Sequence, residues 1–477
     1  MNMSHVFVTG ATGFIGKRLI NELLQAGHTV YALCRIQGTK VGSLSNPNLH
    51  IIYGDLEEPE KMQPLPTDID VAYYLVHSMA KKLKNLKEKE GEVAENFITL
   101  INKTQCQQII YLGGIIQPNV QLSPHLLSRK TVEDILKKAK ASTTVLRASI
   151  IIGSGSASFE IIRDLVEKVP IMIAPRWLKS LCQPIAIADV LFYLKSAILN
   201  PALYNQTFDI GGPEVMSFKE ALLRYAKFRK LKRFVIDVPF LTTKLSTYWL
   251  VFVTSVRYTL CSYLVESMKS NSVCLNKKIL ELLPHACITF EESLARAFLK
   301  IANNEVESTW MDAWVVDQKN PDIAKLSLVP ENGCYREIKK ETFFDSRDAA
   351  IERIWRLGGD HGWYGLDWAW KLRGLIDKIF HGPGMNRGRR HPFELEVGDA
   401  IDFWRVVKAD KEKGCLILYA EMNLPGEAWL EFQMDETTIY QIVVFRPKGL
   451  FGRLYWYAMK PFHYFIFEKM VRGLAGF

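Results

Sequence analysis

The sequence predicts an α/β chain in two parts: a doubly wound parallel sheet with helices on both faces, then a separate C-terminal α+β domain. Three observations carry this. Short β-branched runs alternate with helix-like stretches from the N-terminus, the pattern of strand–helix–strand units. A glycine-spaced turn, Thr9-Gly10-Ala11-Thr12-Gly13-Phe14-Ile15-Gly16, stands between the first strand and the first helix. Far downstream the order changes to strands in succession closed by one long apolar segment, and nine of the 11 tryptophans lie between Trp310 and Trp456.

His5 to Thr9 is the first strand, Phe14 to Ala26 the first helix, stopped at Gly27, and His28 to Leu33 the second strand. Leu49 to Tyr53, Val71 to Val76, Ile109 to Leu112 and Thr143 to Leu146 follow as strands, with helices at Gly91 to Thr104 and Lys130 to Ala139 between them. After Ile152 the alternation is interrupted by Gly, Ser and Pro, as in Gly153 to Ser158 and Gly211 to Pro213. Those loops are expected to build a substrate site interleaved with the core. From Phe218 to about Asn304 the pattern is mainly helical. The domains are therefore placed at 1–305 and 335–477, with a linker at 306–334. In the second, Ala400 to Lys408, Gly414 to Glu421, Ala428 to Met434 and Thr437 to Phe445 read as strands, and Leu450 to Leu474 as a helix.

With 477 residues, 48% of them apolar, the chain is too long for one core and too hydrophobic for disorder. Sixty Lys and Arg against 51 Asp and Glu give a formal +9 that is spread out, so no nucleic-acid partner is expected. Eight scattered cysteines without a Cys-x-x-Cys pair point to reduced thiols and a cytoplasmic protein. The first strand starts so close to Met1 that no signal peptide is expected. The most lipid-like run, Leu245 to Val256, has 12 residues against the roughly 20 a membrane span needs. The basic cluster Lys227, Arg229, Lys230, Lys232 and Arg233 before it has two readings: cations at a helix C-terminus, or peripheral contact with an anionic membrane.

The glycine turn carries the chemistry. Gly10 can take a sharp turn, Gly13 lets the backbone approach a pyrophosphate, and Gly16 lets helix and strand pack closely. The helix N-terminus then offers free N–H groups to phosphates. This is a dinucleotide site of Rossmann type. The second strand ends Leu33-Cys34-Arg35, with no acid between Gly27 and Lys40 to take a ribose 2′-hydroxyl. An arginine there suits a 2′-phosphate, so NADP is expected ahead of NAD.

The sequence resembles the short-chain dehydrogenase/reductase superfamily in its extended and atypical, NmrA-like branches. The residues that carry the resemblance are Thr9 to Gly16, Gly54 to Leu56, Tyr73 to Met79, Leu146 to Ser149, Gln183 to Val190 and Phe208 to Glu214. It implies that Asp55 and Leu56 border the adenine and that Leu75, Val76 and His77 line the cofactor. The superfamily normally uses Tyr-x-x-x-Lys, in which the lysine holds the ribose and the phenol passes a proton. Here Lys130 is present, but the position four earlier is Leu126, and the preceding strand ends in Gly113-Gly114 where serine is frequent. Lys130 either binds the ribose or sits on a solvated helix. Tyr335 to Lys339 matches the pattern literally but opens the C-terminal domain, as chance allows. Catalytic residues stay unassigned, with Lys130, His77 and His125 as candidates and Ser78 and Ser123 nearby.

Arg176 beside Trp177 offers a place for an anionic or planar substrate, or a packed indole in a loop. No metal site is expected, since His361, His381 and His391 lie in Gly-rich loops. From Tyr335 the chain is similar to a domain of unknown function fused behind atypical dehydrogenases, itself resembling helix-grip, START-like folds. That implies a curved sheet around a long helix, with Trp355, Trp363, Trp368, Trp370, Trp404 and Trp429 lining an apolar-ligand cavity or forming core. The expected function is an NADPH-dependent oxidoreductase lacking the usual tyrosine, acting on a small molecule. The alternatives are a non-catalytic NADP-binding sensor or assembly factor and a carrier of an apolar ligand. The oligomeric state is open.

Overall fold

The computed structural model describes residues 3–35, 46–76, 86–118, 122–238, 243–253, 258–302, 329–330, 334–379, 382–385, 389 and 391–476. His77, Ser78, Trp310, His381 and nearly all of the expected linker 306–334 lie outside the described residues. The chain divides into two compact units between Gln318 and Lys319.

The first unit is built on seven parallel strands: β1 His5–Val8, β2 Thr29–Cys34, β3 Leu49–Tyr53, β4 Val71–Tyr74, β5 Gln108–Gly114, β6 Ser142–Ala148 and β7 Thr207–Ile210. Their spatial order is β7-β6-β5-β4-β1-β2-β3. The strand order reverses between β1 and β4, and in such sheets the crevice at the carboxyl ends of these strands receives the ligand. Central strands are buried on both faces, which is why Val71-Ala72-Tyr73-Tyr74 reads as a continuous apolar run.

Among the described residues of this unit the α-helices are, in order, α1 Phe14–Gln25, α2 Leu86–Ile101, α3 Pro124–Leu136, α4 Ala157–Lys168, α5 Ile187–Ser196, α6 Phe218–Phe228, α7 Thr243–Val253, α8 Tyr258–Ser267, α9 Lys278–Leu282 and α10 Phe290–Ala302. One face of the sheet packs Val6, Val8 and Tyr73 against Leu19, Leu23 and Leu194 of α1 and α5. The other packs Phe7, Tyr74 and Tyr111 against Phe97 and Val132 of α2 and α3. A third cluster joins α4 and α6 around Phe159, Trp177 and Tyr225, so the indole of Trp177 is core. The expected strands are all present within a few residues. The seventh, β7, was not read as a strand, because Gln206 and the Gly211-Gly212-Pro213 turn leave only four extended residues between them.

Lys227 of the basic cluster lies in the last turn of α6, and two other members have local partners. Arg229 Nε donates to Glu167 Oε1 at 3.2 Å, and Arg233 donates to the carbonyls of Val166 and Glu167 near the end of α4. Among the described residues no helix is long and apolar enough to cross a membrane. All eight cysteines are free thiols.

In the second unit, a six-stranded antiparallel sheet holds β8 Tyr335–Thr342, β9 Ala400–Ile401, β10 Trp404–Asp410, β11 Cys415–Ala420, β12 Gly426–Met434 and β13 Thr438–Pro447 in the order β8-β13-β12-β11-β10-β9. Helices α11 Arg347–Trp355 and α12 Asp367–Ile379 precede β9, and α13 Gly449–Ala475 closes the chain with 27 residues. α13 lays Trp456, Phe467, Met470, Val471 and Leu474 against Val443 and Phe445 of the sheet. Strand β8 carries Tyr335 and Lys339, which settles the chance motif: Tyr335 stacks on Trp456 at 5.3 Å, and Lys339 pairs with Glu468 at 3.3 Å. Of the six tryptophans expected around a cavity, five are buried core residues, whereas Trp368 is 65% exposed on α12.

Candidate functional site

The turn after β1 is shaped by two glycines whose missing side chains are structural requirements. Gly10 has φ +67°, and a Cβ there would lie 2.5 Å from the Leu75 carbonyl oxygen. At Gly16 a Cβ would lie 2.2 Å from the Gly10 carbonyl oxygen. Helix α1 is thereby drawn onto the turn. Gly13 caps it with extended backbone, its N–H donating to the Gly10 carbonyl at 2.9 Å while its carbonyl accepts from Lys17 at 3.1 Å. No side-chain hydrogen bond caps α1, and a helix N-terminus of this kind presents backbone N–H groups to an anion. A cradle that a methyl group would fill, at a helix N-terminus without an acid in its first turn, fits a dinucleotide diphosphate.

The other motif residues divide by task. Thr9 was expected to line the cofactor, but it is fully buried and its hydroxyl is committed: it donates to the Tyr73 carbonyl at 2.9 Å and accepts from the Leu75 N–H at 3.2 Å. Thr9 fixes β1 to β4 and acts on the turn indirectly. Ala11 is buried and Thr12 half-buried. The Phe14 ring faces away toward Gly153 and carries the Arg18 guanidinium 4.2 Å above it, while Ile15 packs into the core.

At the end of β2, Arg35 is exposed. Cys34 beside it is buried, its thiol pushed up to about 12 by desolvation and lowered against that by the Lys17 ammonium. Lys17 therefore stands close to the β2 end, a second cation that sequence reasoning missed. Its signal was its place directly after Gly16. Asp55 holds its own turn, accepting from the Glu57 N–H at 3.0 Å, and buried Leu56 is pinned through its carbonyl by Asn96 Nδ2 at 2.8 Å.

Past β4 and β5 the superfamily's tyrosine and serine stations are apolar here. A Cβ at Gly114 would touch Leu126 Cδ2 at 3.4 Å, so Leu126 lies over the end of β5 with no hydroxyl on either side. Of the two readings of Lys130, its surroundings are those of the solvated one: its ammonium pairs with Asp134 at 2.8 Å on the exposed side of α3. One turn of the same helix places His125 and Arg129 inward. Burial pushes the His125 imidazole down to about 4, so it is neutral near neutral pH. Its ring lies 6.1 Å from that of Tyr263 on α8, and Ser123 Oγ is 3.3 Å from Ser267 Oγ. Arg129 is 6% exposed, and its Nη1 lies 3.5 Å from the Val76 carbonyl oxygen.

Two features lie apart from this crevice. A cavity of about 360 Å³ on the flank of α1 and α5 contains none of the expected cofactor or catalytic residues, although Gly153 and Ser154 of an expected substrate loop line it. Asp189, His285 and Cys287 bring ligand atoms within 4.8 Å of one another, a grouping that sequence spacing concealed. Both Asp189 oxygens are used, by His285 Nε2 at 2.8 Å and the Ile288 N–H at 3.2 Å, and the imidazole stacks on Phe192 at 3.9 Å. The trio laces the segment after α9 to α5. In the second unit, His391 Nδ1 accepts from the Phe393 and Glu394 N–H groups at 3.2 and 3.1 Å, as a loop cap does.

The reversed strand order and the glycine turn define a dinucleotide-binding Rossmann unit. Residues 10–151 match the family described as "NAD(P)H-binding", and residues 335–470 match "Protein of unknown function (DUF2867)". The chain thus carries an NAD(P)H-binding Rossmann domain followed by a domain that matches DUF2867. Divinyl chlorophyllide a 8-vinyl-reductase of Cucumis sativus is 22% identical over 225 residues, 44% of this chain and 53% of that one. Photosystem II assembly factor Ycf39 of Trieres chinensis is 23% identical over 243 residues, 49% of this chain and 74% of that one. The chain spans about half of the first of these and less of several others, such as the isoflavone reductase homolog P3 of Arabidopsis thaliana, of which it covers 27%. Among solved structures, Bordetella bronchiseptica WbmG in complex with NAD is 12% identical with a TM-score of 0.49, covering 65% of this chain and 97% of that one.

Proposed function

We propose that the protein is an NADPH-dependent oxidoreductase that transfers hydride without a tyrosine–lysine pair. The observation that carries this reading is the glycine cradle with Arg35 and Lys17 at the end of β2. When bound, the nicotinamide supplies the hydride. The first-turn N–H groups of α1 hold the diphosphate, and the two cations take the 2′-phosphate. Leu126 and Gly114 offer no donor to a carbonyl oxygen, and neutral His125 offers no imidazolium. This favours acceptors that need no enzyme acid of that kind, such as conjugated alkenes, and one relative is by name a vinyl-reductase. The test is consumption of NADPH with panels of carbonyls, quinones and conjugated alkenes.

The same donor-free site supports a second reading, a nucleotide-binding sensor or assembly factor, and another relative is by name an assembly factor. Tight NADPH binding with no turnover on any panel decides for it. Cofactor choice has its own test. NADPH is expected to bind more tightly than NADH, and the double variant Lys17→Ala, Arg35→Ala to lose about 10- to 100-fold in NADPH affinity, with NADH changed less than twofold. Equal dissociation constants in the unaltered protein rule out the NADP assignment.

For the C-terminal unit we propose a helix-grip-like role in holding a small apolar ligand. The support is for a ligand whose apolar body carries a polar group: the indole N–H groups of Trp370 and Trp404 and both amide atoms of Gln441 are buried among aromatic side chains without a hydrogen-bond partner among the described residues. Native mass spectrometry of the purified protein reports a co-purifying ligand and the cofactor together.

A further inference from the structure

We infer that Arg129 is the cation that holds the nicotinamide half of the dinucleotide, taking over a task that Lys130 has given up. The inference rests on the cofactor reading above. Helix α3 presents two neighbouring basic residues, and their surroundings separate them. Lys130 is solvated and neutralised by Asp134 one turn away. Arg129 points inward, is nine-tenths buried, and pairs with no carboxylate among the described residues. Glu90, a buried carboxylate on the neighbouring helix α2, accepts from the Ser128 hydroxyl. Burial lowers the guanidinium to about 10, which leaves it charged at neutral pH.

A buried, charged guanidinium without a counter-ion is unfavourable unless an anion or several acceptors complete it. Among the described residues the Arg129 guanidinium has one long contact, Nη1 to the Val76 carbonyl at 3.5 Å, and its Nη2 has no partner. The position of that contact identifies what completes it. Val76 follows β4 directly after Leu75, whose carbonyl closes on Gly10, so Arg129 reaches the sheet edge one residue beyond the phosphate turn. A dinucleotide whose diphosphate sat on that turn would carry its nicotinamide-side phosphate and ribose toward Val76, and their oxygens would match a planar fork of donors. Tyr111 Oη donates to the Arg129 backbone carbonyl at 3.3 Å, tying this turn of α3 to β5.

Binding of NADPH and of adenosine 2′,5′-bisphosphate, which carries only the adenine half, tests this by calorimetric titration of the full chain. Arg129→Ala is expected to weaken NADPH about 10- to 100-fold while the bisphosphate changes less than twofold. Lys130→Ala is expected to leave both within twofold. If Arg129→Ala does not fold, Arg129→Gln keeps the stem without the charge, and the same split is read from it. An unchanged NADPH affinity, or equal losses for both ligands, overturns the inference. Failure of the unaltered protein to bind either NADPH or NADH removes the cofactor reading itself, and this inference with it.

Discussion

Gly16→Val is expected to abolish dinucleotide binding, lowering NADPH affinity by at least about 100-fold. The first side-chain carbon would sit 2.2 Å from the Gly10 carbonyl oxygen, a backbone atom with no rotamer to move. Relief requires α1 to slide off the turn. Its first-turn N–H groups then leave the place where the diphosphate binds, and losing two charge-assisted hydrogen bonds costs about 3 to 6 kcal/mol. The Gly10 turn cannot yield in compensation, because its own missing side chain faces the Leu75 carbonyl, held in turn by the Thr9 bridge to β4. Calorimetric titration with NADPH checks this, and binding within threefold of the unaltered protein contradicts it. Thermal unfolding of the same variant is expected to show a first unit destabilised by about 1 to 3 kcal/mol, as overpacking does.

This prediction concerns the part of the molecule that was most legible in the sequence. Local rules sufficed there: two special glycines, a strand before and a helix after, and an arginine where an acid is otherwise needed. What escaped was set by which way a helix faces. In Pro124 to Leu136 the inward stripe runs through Ser128, Arg129, Val132 and Leu136, and Arg129 on that stripe was visible in principle. The fixed spacing of the superfamily's motif drew the reading to Lys130, one position over, which tertiary packing turns toward solvent. Strand β8 escaped because Tyr335-Arg336-Glu337-Ile338-Lys339 lies on an edge and spaces its two apolar residues three apart among charges, which breaks the period-two pattern of a strand. Lys17 and Cys34 meet only once β2 lies beside β1. The Asp189–His285 contact bridges 96 positions and has no local signature.

The second unit contains a pairing of that long-range kind, with an expected dependence on pH. Asp402 is almost fully buried and accepts from the Trp363 indole N–H at 2.7 Å. Desolvation raises its carboxyl to about 6 from an ordinary 3.8. Between these values the folded chain holds a proton that the unfolded chain has released. Stability from this group is therefore complete below about pH 4 and falls by about 3 kcal/mol as pH rises through 6. His463 on α13, half-buried between Trp456 and Phe467, behaves oppositely. Burial lowers its imidazole to about 4 from 6.5, so the unfolded chain binds the proton first and stability falls as pH drops from 6.5 toward 4, by about 3 kcal/mol or less. Over the shared interval the two slopes cancel in the unaltered protein. Asp402→Asn keeps an acceptor for Trp363 and tolerates the left-handed backbone at that position, φ +52°. It is expected to leave a unit that weakens on acidification, whereas His463→Phe leaves one that weakens as pH rises. The double variant returns to a flat profile. Denaturant unfolding at pH 4.5 and 6.5, followed by tryptophan emission, reads this mainly from the second unit, since seven of the 11 tryptophans lie beyond Lys319. Parallel pH profiles for Asp402→Asn and the unaltered chain would place the proton elsewhere, because every group outside this pair cancels in the difference.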